Sequence, residues 1–188
     1  MSNYNDFEPL IANDNIYLEF ISSNISLDKF DEVILPGSKL VIKDLIWLKE
    51  TGLFEQLKNR KKDILGICGG YQMMFNYIID DLCIETLEPT KVKGLGFIDD
   101  NIVFQKEKIL NKEVYRMFKN YQEGFEIHHG ISKKHPLFYE VKNIKGTFVH
   151  GLFNDEKFRE YKKKTIANFV DTMKEKLDIE KIISSISK

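Results

Sequence analysis

"DILGICGGYQMMF", Asp63–Phe75, runs from a short apolar stretch through a cysteine and two glycines into a helix-like segment. A strand that turns sharply into a helix lifts one side chain above the sheet edge, and such a nucleophile elbow needs small neighbours because its backbone is crowded. Here Gly66, Gly69 and Gly70 flank Cys68. Free N–H groups and the positive dipole end of the following helix favour a thiolate at that position. The N–H of Gly69 is placed to stabilise an oxyanion. A lone cysteine also serves as a small apolar core residue, but the three glycines favour the nucleophile. A dinucleotide fingerprint would require glycine where Cys68 stands, so it is absent. Cys83, the second cysteine, lacks this neighbourhood and reads as structural.

Outward from the elbow, short apolar runs predict strands at Asn15–Ile21, Asp31–Pro36, Asp63–Ile67, Gly124–His129 and Gly146–His150. Between them, "SKLVIKDLIWLKETG" puts Leu40, Ile42, Leu45, Ile46 and Leu48 on one helical stripe and stops at Gly52. Helical patterns also cover "LFEQLKNRKK", "YQMMFNYIIDDL" (Tyr71–Leu82) and "DEKFREYKKKTIANFVDTMKEKL" (Asp155–Leu177). Alternating strands and helices in the first half predict a parallel sheet with crossover helices. The middle, Gly94–Val141, reads as shorter strands and turns with an antiparallel portion. No repeat, linker or composition shift divides the chain, so a single domain over 1–188 is expected.

Composition bounds the function. The 188 residues are 43% hydrophobic and 30% charged, which is globular rather than disordered. A formal net charge of -1 with scattered lysines gives no electrostatic case for nucleic acid. No apolar run reaches the ~18 residues of a membrane span, and the polar N-terminus is no signal peptide. Two cysteines make no disulfide framework, and a cytoplasmic location is expected.

A cysteine nucleophile needs a base, and His128, His129, His135 and His150 are available. His135 precedes Pro136 in a polar loop. His128 and His129 would face opposite sides of a shared strand, which argues against a metal site there, and none is expected elsewhere. His150 ends the strand "GTFVHGLF" beside Gly151, where its ring can project over the same sheet edge as Cys68. His150 is favoured over His128.

Four motifs in order, "LPGSKLVIKDLIWLKETGL", "GICGGYQMMF", "GFEIHHG" and "GTFVHGLFNDEKFR", resemble the glutamine amidotransferase domain of cobyric acid synthase. The opening "SNYNDFEPL" is similar to the start of that domain, so the resemblance covers nearly the whole chain. It implies an α/β, three-layer class I (triad-type, flavodoxin-like) fold with a mostly parallel central sheet, flanking helices and a small antiparallel portion. It further implies that Cys68 attacks the glutamine side-chain amide and that His150 carries the protons. Backbone N–H groups of Gly69 and of the turn at Gly37 and Ser38 would hold the oxyanion. Tyr71, Gln72 and Tyr121 are pocket candidates by position, with core packing the competing reading for each. The ammonia would pass to an ATP-dependent synthetase that amidates carboxylates of cobyrinic acid a,c-diamide. ATP and Mg would belong to that synthetase, since this chain has no G-x-x-x-x-G-K-[ST] loop, and no cofactor is expected here.

The pattern departs from triad amidotransferases in one place. An acid normally stands two positions after the histidine, where this chain has Leu152. Glu126 and Asp155 are candidates to orient His150 instead, as is a residue of the synthetase. A strand pairing for Glu126 and a helix N-cap for Asp155 are the competing readings. The family also carries a strand before "SNYNDF", so an exposed sheet edge is expected here. Three other functions stay open: an amidotransferase subunit for another synthetase, such as one amidating a cell-wall lipid precursor; a cysteine hydrolase without an acceptor; and a non-catalytic regulatory module.

Overall fold

The computed structural model describes residues 3–176. A single turn at Tyr4–Asp6 and the short helix α1 (Glu8–Ile11) open the chain, and a second turn at Leu27–Lys29 leads into strand β1 (Glu32–Leu35). Helices α2 (Val41–Glu50) and α3 (Leu53–Asn59) precede β2 (Asp63–Ile67), the one-turn α4 (Gly69–Gln72) and β3 (Phe75–Asp80). Then come β4 (Thr90–Lys93), β5 (Ile98–Met117), β6 (Asn120–Ile131), β7 (Phe138–Val141), β8 (Ile144–Thr147) and helix α5 (Glu156–Lys176).

These strands form two four-stranded sheets. The first, in the order β1-β2-β8-β7, is parallel except for its β7–β8 ladder. In the second, β4-β3-β5-β6, only β3 and β5 run parallel. The fold is therefore mixed α/β with a mostly parallel first sheet, and the antiparallel β5–β6 hairpin is longer than the short middle strands expected from the sequence.

Register positions the site. Leu35 lies opposite Gly66, Gly66 opposite Gly146, and Ile67 opposite Thr147. The C-terminal ends of β1, β2 and β8 thus come out together, and the residues just beyond them are Gly37–Ser38, Cys68 and His150. Open α/β sheets bind their ligands at such an edge. Beneath it, Leu45 and Leu48 of α2 and Phe54 and Leu57 of α3 join Ile64, Met74, Phe75, Ile78, Ile102 and Phe148 in one core cluster. That cluster draws on both sheets, so the two share an interior.

Four expectations need correction. The segment Asn15–Ile21 alternates like a strand but pairs with none of the described strands. A strand requires a ladder, and without one the segment lines an 820 Å³ groove beside β1, with Tyr17 82% exposed. Strand β1 is itself at the edge of its sheet.

The helix expected over Tyr71–Leu82 ends after one turn, and Phe75–Asp80 forms a strand laddered to β4 and β5. Phe75, Tyr77, Ile78 and Ile79 are strand-favouring types, and neighbours on both sides override the helical spacing. The α2 stripe is also narrower than expected. Val41, Ile42, Leu45 and Leu48 are buried, while Leu40 and Ile46 face outward. The strand over Gly146–His150 keeps its ladder only to Thr147, beyond which His150 makes an isolated bridge to Phe125. At the C-terminus, α5 follows the expected helix to Lys176, and Leu177 lies outside the described residues.

Candidate active site

Cys68 is the residue between β2 and α4, and its backbone sits at φ 48°, ψ -103°. A side-chain-bearing residue at positive φ is held there only when its surroundings impose it, and such strain collects at functional sites. Two contacts impose it here. The Cys68 N–H donates to the Thr147 carbonyl of β8 at 2.8 Å, and its own carbonyl accepts the Gln72 N–H at 3.1 Å. The flanking glycines allow the turn to close. A Cβ on Gly70 would collide with the Leu35 backbone, and one on Gly69 would stand 2.6 Å from the Ser38 nitrogen. The turn after β1 is thereby pressed against the elbow. The Ser38 hydroxyl donates to Asp44 at 2.6 Å and accepts the Leu40 N–H at 3.0 Å, holding that turn against the start of α2.

His150 is delivered to the same place by the segment after β8. Its backbone exchanges hydrogen bonds with Phe125 of β6, and the Phe125 ring stacks on the imidazole at 4.9 Å. The Cys68 sulfur adjoins the imidazole and favours its charged form. On its other side, Nδ1 lies 2.6 Å from Oδ2 of Asp6. Asp6 was missed by sequence reasoning. It is 3% exposed, and its second oxygen accepts the Gly151 N–H at 2.9 Å and the Asn3 amide at 3.2 Å. A carboxylate accepting from Nδ1–H fixes the tautomer and leaves Nε2 for the sulfur.

The electrostatics follow from these contacts. Burial opposes a charge on His150, but the Asp6 hydrogen bond and the adjacent Cys68 sulfur outweigh it, and the ring is raised from 6.5 to about 9. One turn of helix follows Cys68 rather than three, so the dipole expected from a long helix is reduced to local N–H groups.

Neither acid proposed from the sequence is at the histidine. Glu126 lies in β6 with Oε1 3.3 Å from His128 Nε2 and Oε2 3.5 Å from the Asn111 amide. Asp155 caps α5, its Oδ1 accepting the Phe158 N–H at 2.7 Å. Alternation along β6 explains Glu126: residues 124, 126, 128 and 130 face the interior, away from the side occupied by the His150 ring.

The pocket candidates divide as well. Tyr71 packs edge-on against Phe75 and Phe148, and its hydroxyl donates to the His135 carbonyl. Gln72 is buried with Oε1 pressed towards Gly130, and Tyr121 is exposed at the β5–β6 turn. Gly69 follows Cys68 directly and packs its α-carbon against the Ser38 backbone of the Gly37–Ser38 turn. His129 binds the Gln105 carbonyl, and His135 packs against Tyr139. Cys83 is a free, exposed cysteine. Among the described residues, no group of three His, Cys, Asp or Glu side chains is arranged to hold a metal ion, and no helix is long and apolar enough to cross a membrane.

A strained cysteine beside a histidine whose Nδ1 meets a buried carboxylate is a Cys–His–Asp arrangement at the carboxyl edge of an α/β sheet. Family comparison narrows this class: residues 1–158 match the CobB/CobQ-like glutamine amidotransferase domain, and the chain belongs to that family. It is 52% identical over 203 positions to the cobyric acid synthase of Acinetobacter baylyi, covering 99% of this chain and 44% of that protein. Against the cobyric acid synthase of Clostridium botulinum strain Loch Maree the identity is 31%, covering 99% of this chain and 48% of that one. The chain thus spans less than half the length of these relatives. A solved glutamine amidotransferase shares the fold with a TM-score of 0.51 at 15% identity, covering 72% of this chain and 78% of that structure.

Proposed function

We propose that this chain is a glutaminase domain that hydrolyses L-glutamine to glutamate and ammonia through a thioester on Cys68. The observation that carries this reading is the placement of His150 between the strained Cys68 and the buried Asp6, whose Oδ2 lies 2.6 Å from Nδ1. Cys68 gives its thiol proton to His150 Nε2 as the sulfur attacks the amide carbon, and the carbonyl oxygen gains negative charge. Backbone N–H groups of Gly69 and the Gly37–Ser38 turn stabilise that charge. His150 Nε2 gives its proton to the departing nitrogen as the C–N bond breaks, releasing ammonia. A water then yields a proton to His150, its oxygen attacks the thioester, and the thiolate departs from glutamate. Asp6 keeps the imidazole in the tautomer both transfers require and stabilises the imidazolium.

The relatives are cobyric acid synthases. By that likeness, the ammonia serves an ATP-dependent synthetase amidating carboxylates of cobyrinic acid a,c-diamide in the cytoplasm. ATP and Mg act there, and the glutaminase half needs no cofactor of its own. Incubation with a glutamine-analogue electrophile, read by mass spectrometry, tests the chemistry. Adduct on Cys68, with ammonia release abolished in Cys68→Ala, is expected. Labelling confined to the exposed Cys83, or unchanged ammonia release, refutes it. Ammonia transfer is then tested by adding the synthetase, ATP and the diamide, with amidated product from glutamine as the expected result.

A further inference from the structure

One buried pair of titratable groups has no part in the triad. Glu126 and His128, 6% and 4% exposed, face each other on the inner side of β6. His128 Nδ1 lies 2.8 Å from the Gly130 carbonyl, and Nε2 lies 3.3 Å from Glu126 Oε1. A carbonyl and a carboxylate oxygen accept hydrogen bonds, and the ring presents one nitrogen to each. The hydrogen bond from His128 holds the Glu126 carboxyl below its ordinary value against the opposing effect of burial. The ring is also clamped by a third contact, lying flat on Phe148 at 3.9 Å between centroids and 13° between planes. Phe148 stands two residues before His150 and edge-on to Tyr71, three residues after Cys68.

The outer side of this stretch touches both halves of the catalytic pair. Phe125 exchanges backbone hydrogen bonds with His150, and the Ile127 carbonyl accepts from the Cys68 sulfur at 3.7 Å. The ladder to β5 is regular from Phe125 to His128, and its register breaks just past that residue, between Phe104 and Ile109. The Glu126–His128 pair thus sits at the last regular rungs before the break, on the inner face of the stretch that meets the catalytic pair.

We propose that Glu126 and His128 are positioning residues, a buried clamp that sets β6 so that the backbone of Phe125 and Ile127 holds His150 and Cys68 in mutual alignment. This rests on the glutaminase reading for its kinetic consequence but not for its geometry. Misplacing reacting groups by about 1 Å costs on the order of 100-fold in rate. Glu126→Ala is therefore expected to lower kcat roughly 10- to 100-fold with KM within about 3-fold. Glu126→Gln, whose carbonyl still accepts from His128, should recover most of that loss. Because the two act as a unit, Glu126→Ala/His128→Ala should be little worse than either single variant. Circular dichroism and a thermal melt establish that each variant is folded. Should the alanine variants not fold, His128→Gln, whose two N–H groups sit on one nitrogen and cannot span acceptors at opposite ends of the ring, makes the same comparison against Glu126→Gln.

A second readout does not need glutamine turnover. Labelled histidine NMR follows the Nδ1–H of His150 in its bond to Asp6, assigned by its loss in Asp6→Asn. The clamp predicts that this resonance shifts or broadens in Glu126→Ala and returns in Glu126→Gln. A folded Glu126→Ala with unchanged kcat and an unchanged His150 resonance overturns the proposal, as does a loss carried by KM alone. If the wild type releases no ammonia, the glutaminase reading fails, and the His150 resonance still decides the clamp.

Discussion

Replacing Asp6 by asparagine isolates the feature on which the triad depends. The change is nearly isosteric, and the asparagine Oδ1 can still accept the Gly151 N–H that Asp6 accepts at 2.9 Å. At the Oδ2 position an amide nitrogen would face Nδ1 across 2.6 Å, donor against donor, unless the imidazole changes tautomer, giving up its Nδ1 proton and keeping one on Nε2, where it can no longer act as a base. The raising of His150 from 6.5 to about 9 represents about 3 kcal/mol in favour of the protonated ring. Burial works against that preference, and the Asp6 hydrogen bond is the largest contribution in its favour, ahead of the Cys68 sulfur. Its loss should bring the basic limb of the kcat/KM profile from near 9 down by at least one pH unit. The wrong tautomer should lower kcat by roughly 100- to 10,000-fold. Stability carries the same sign. A raised histidine contributes stability that is fully present below 6.5 and lost as pH rises through about 9, so the variant's deficit should be largest at acidic to neutral pH and vanish above it. Ammonia release across pH 5–10, with urea melts at pH 6 and pH 10, measures both. A variant within about 3-fold of wild-type kcat, with its basic limb still near 9, refutes the orienting role.

Other perturbations follow from single contacts. Gly69→Ala puts a methyl 2.6 Å from the Ser38 nitrogen, so the turn must move away, and kcat should fall about 100- to 1,000-fold, as for loss of an oxyanion donor, with a modest change in melting temperature. Asp80 accepts N–H groups from Ile84, Glu85 and Thr86, so Asp80→Ala should cost roughly 1–3 kcal/mol in urea unfolding. Burial raises the Asp80 carboxyl, but those hydrogen bonds outweigh it and hold it below its ordinary 3.8, so its contribution is present above 3.8 and lost as pH falls through the lower folded value. Glu85, raised to about 7 by burial despite the Ile42 N–H and with added repulsion from Asp80, binds its proton more tightly when folded. Wild-type stability relative to Glu85→Gln should therefore fall as pH rises from 4.5 to about 7 and level off above, and a flat difference across that window would contradict the placement of Glu85.

The elements legible in the sequence are those whose own residues settle their environment. Strands β1 and β2 are short apolar runs ended by Pro36 and by the glycine-flanked Cys68, and α2 combines an apolar stripe with a stop at Gly52. The segment after the elbow misleads because Tyr71, Met74, Phe75 and Ile78 sit at helical spacing while Phe75–Asp80 forms ladders with the next two strands, β4 and β5. Periodicity reports which face is buried, and a segment covered by neighbours on several sides satisfies either period. For Asn15–Ile21 the alternation is present and the ladder is not, so a pattern was legible where the pairing it requires could not be read.

The site divides along the same line. Cys68 announces itself because the strain at the elbow must be met by adjacent glycines, a local demand written into neighbouring positions. His150 is recognisable from the strand that carries it to the same edge. Asp6 has no such signature: it lies 144 residues from its partner, in a one-turn segment with neither helical nor strand periodicity. What marks it is chemical. An aspartate 3% exposed must have its charge satisfied, and the only local help in "NYNDF" is one amide, from Asn3. Leu152 then ceases to be a defect. It packs against the apolar cluster of Leu65, Ile67 and Cys68, where a carboxylate would have to be buried beside the nucleophile. The acid approaches from Nδ1 instead, bound by the Gly151 N–H, so orientation of the histidine depends on docking of the N-terminal turn and not on the strand that bears the ring.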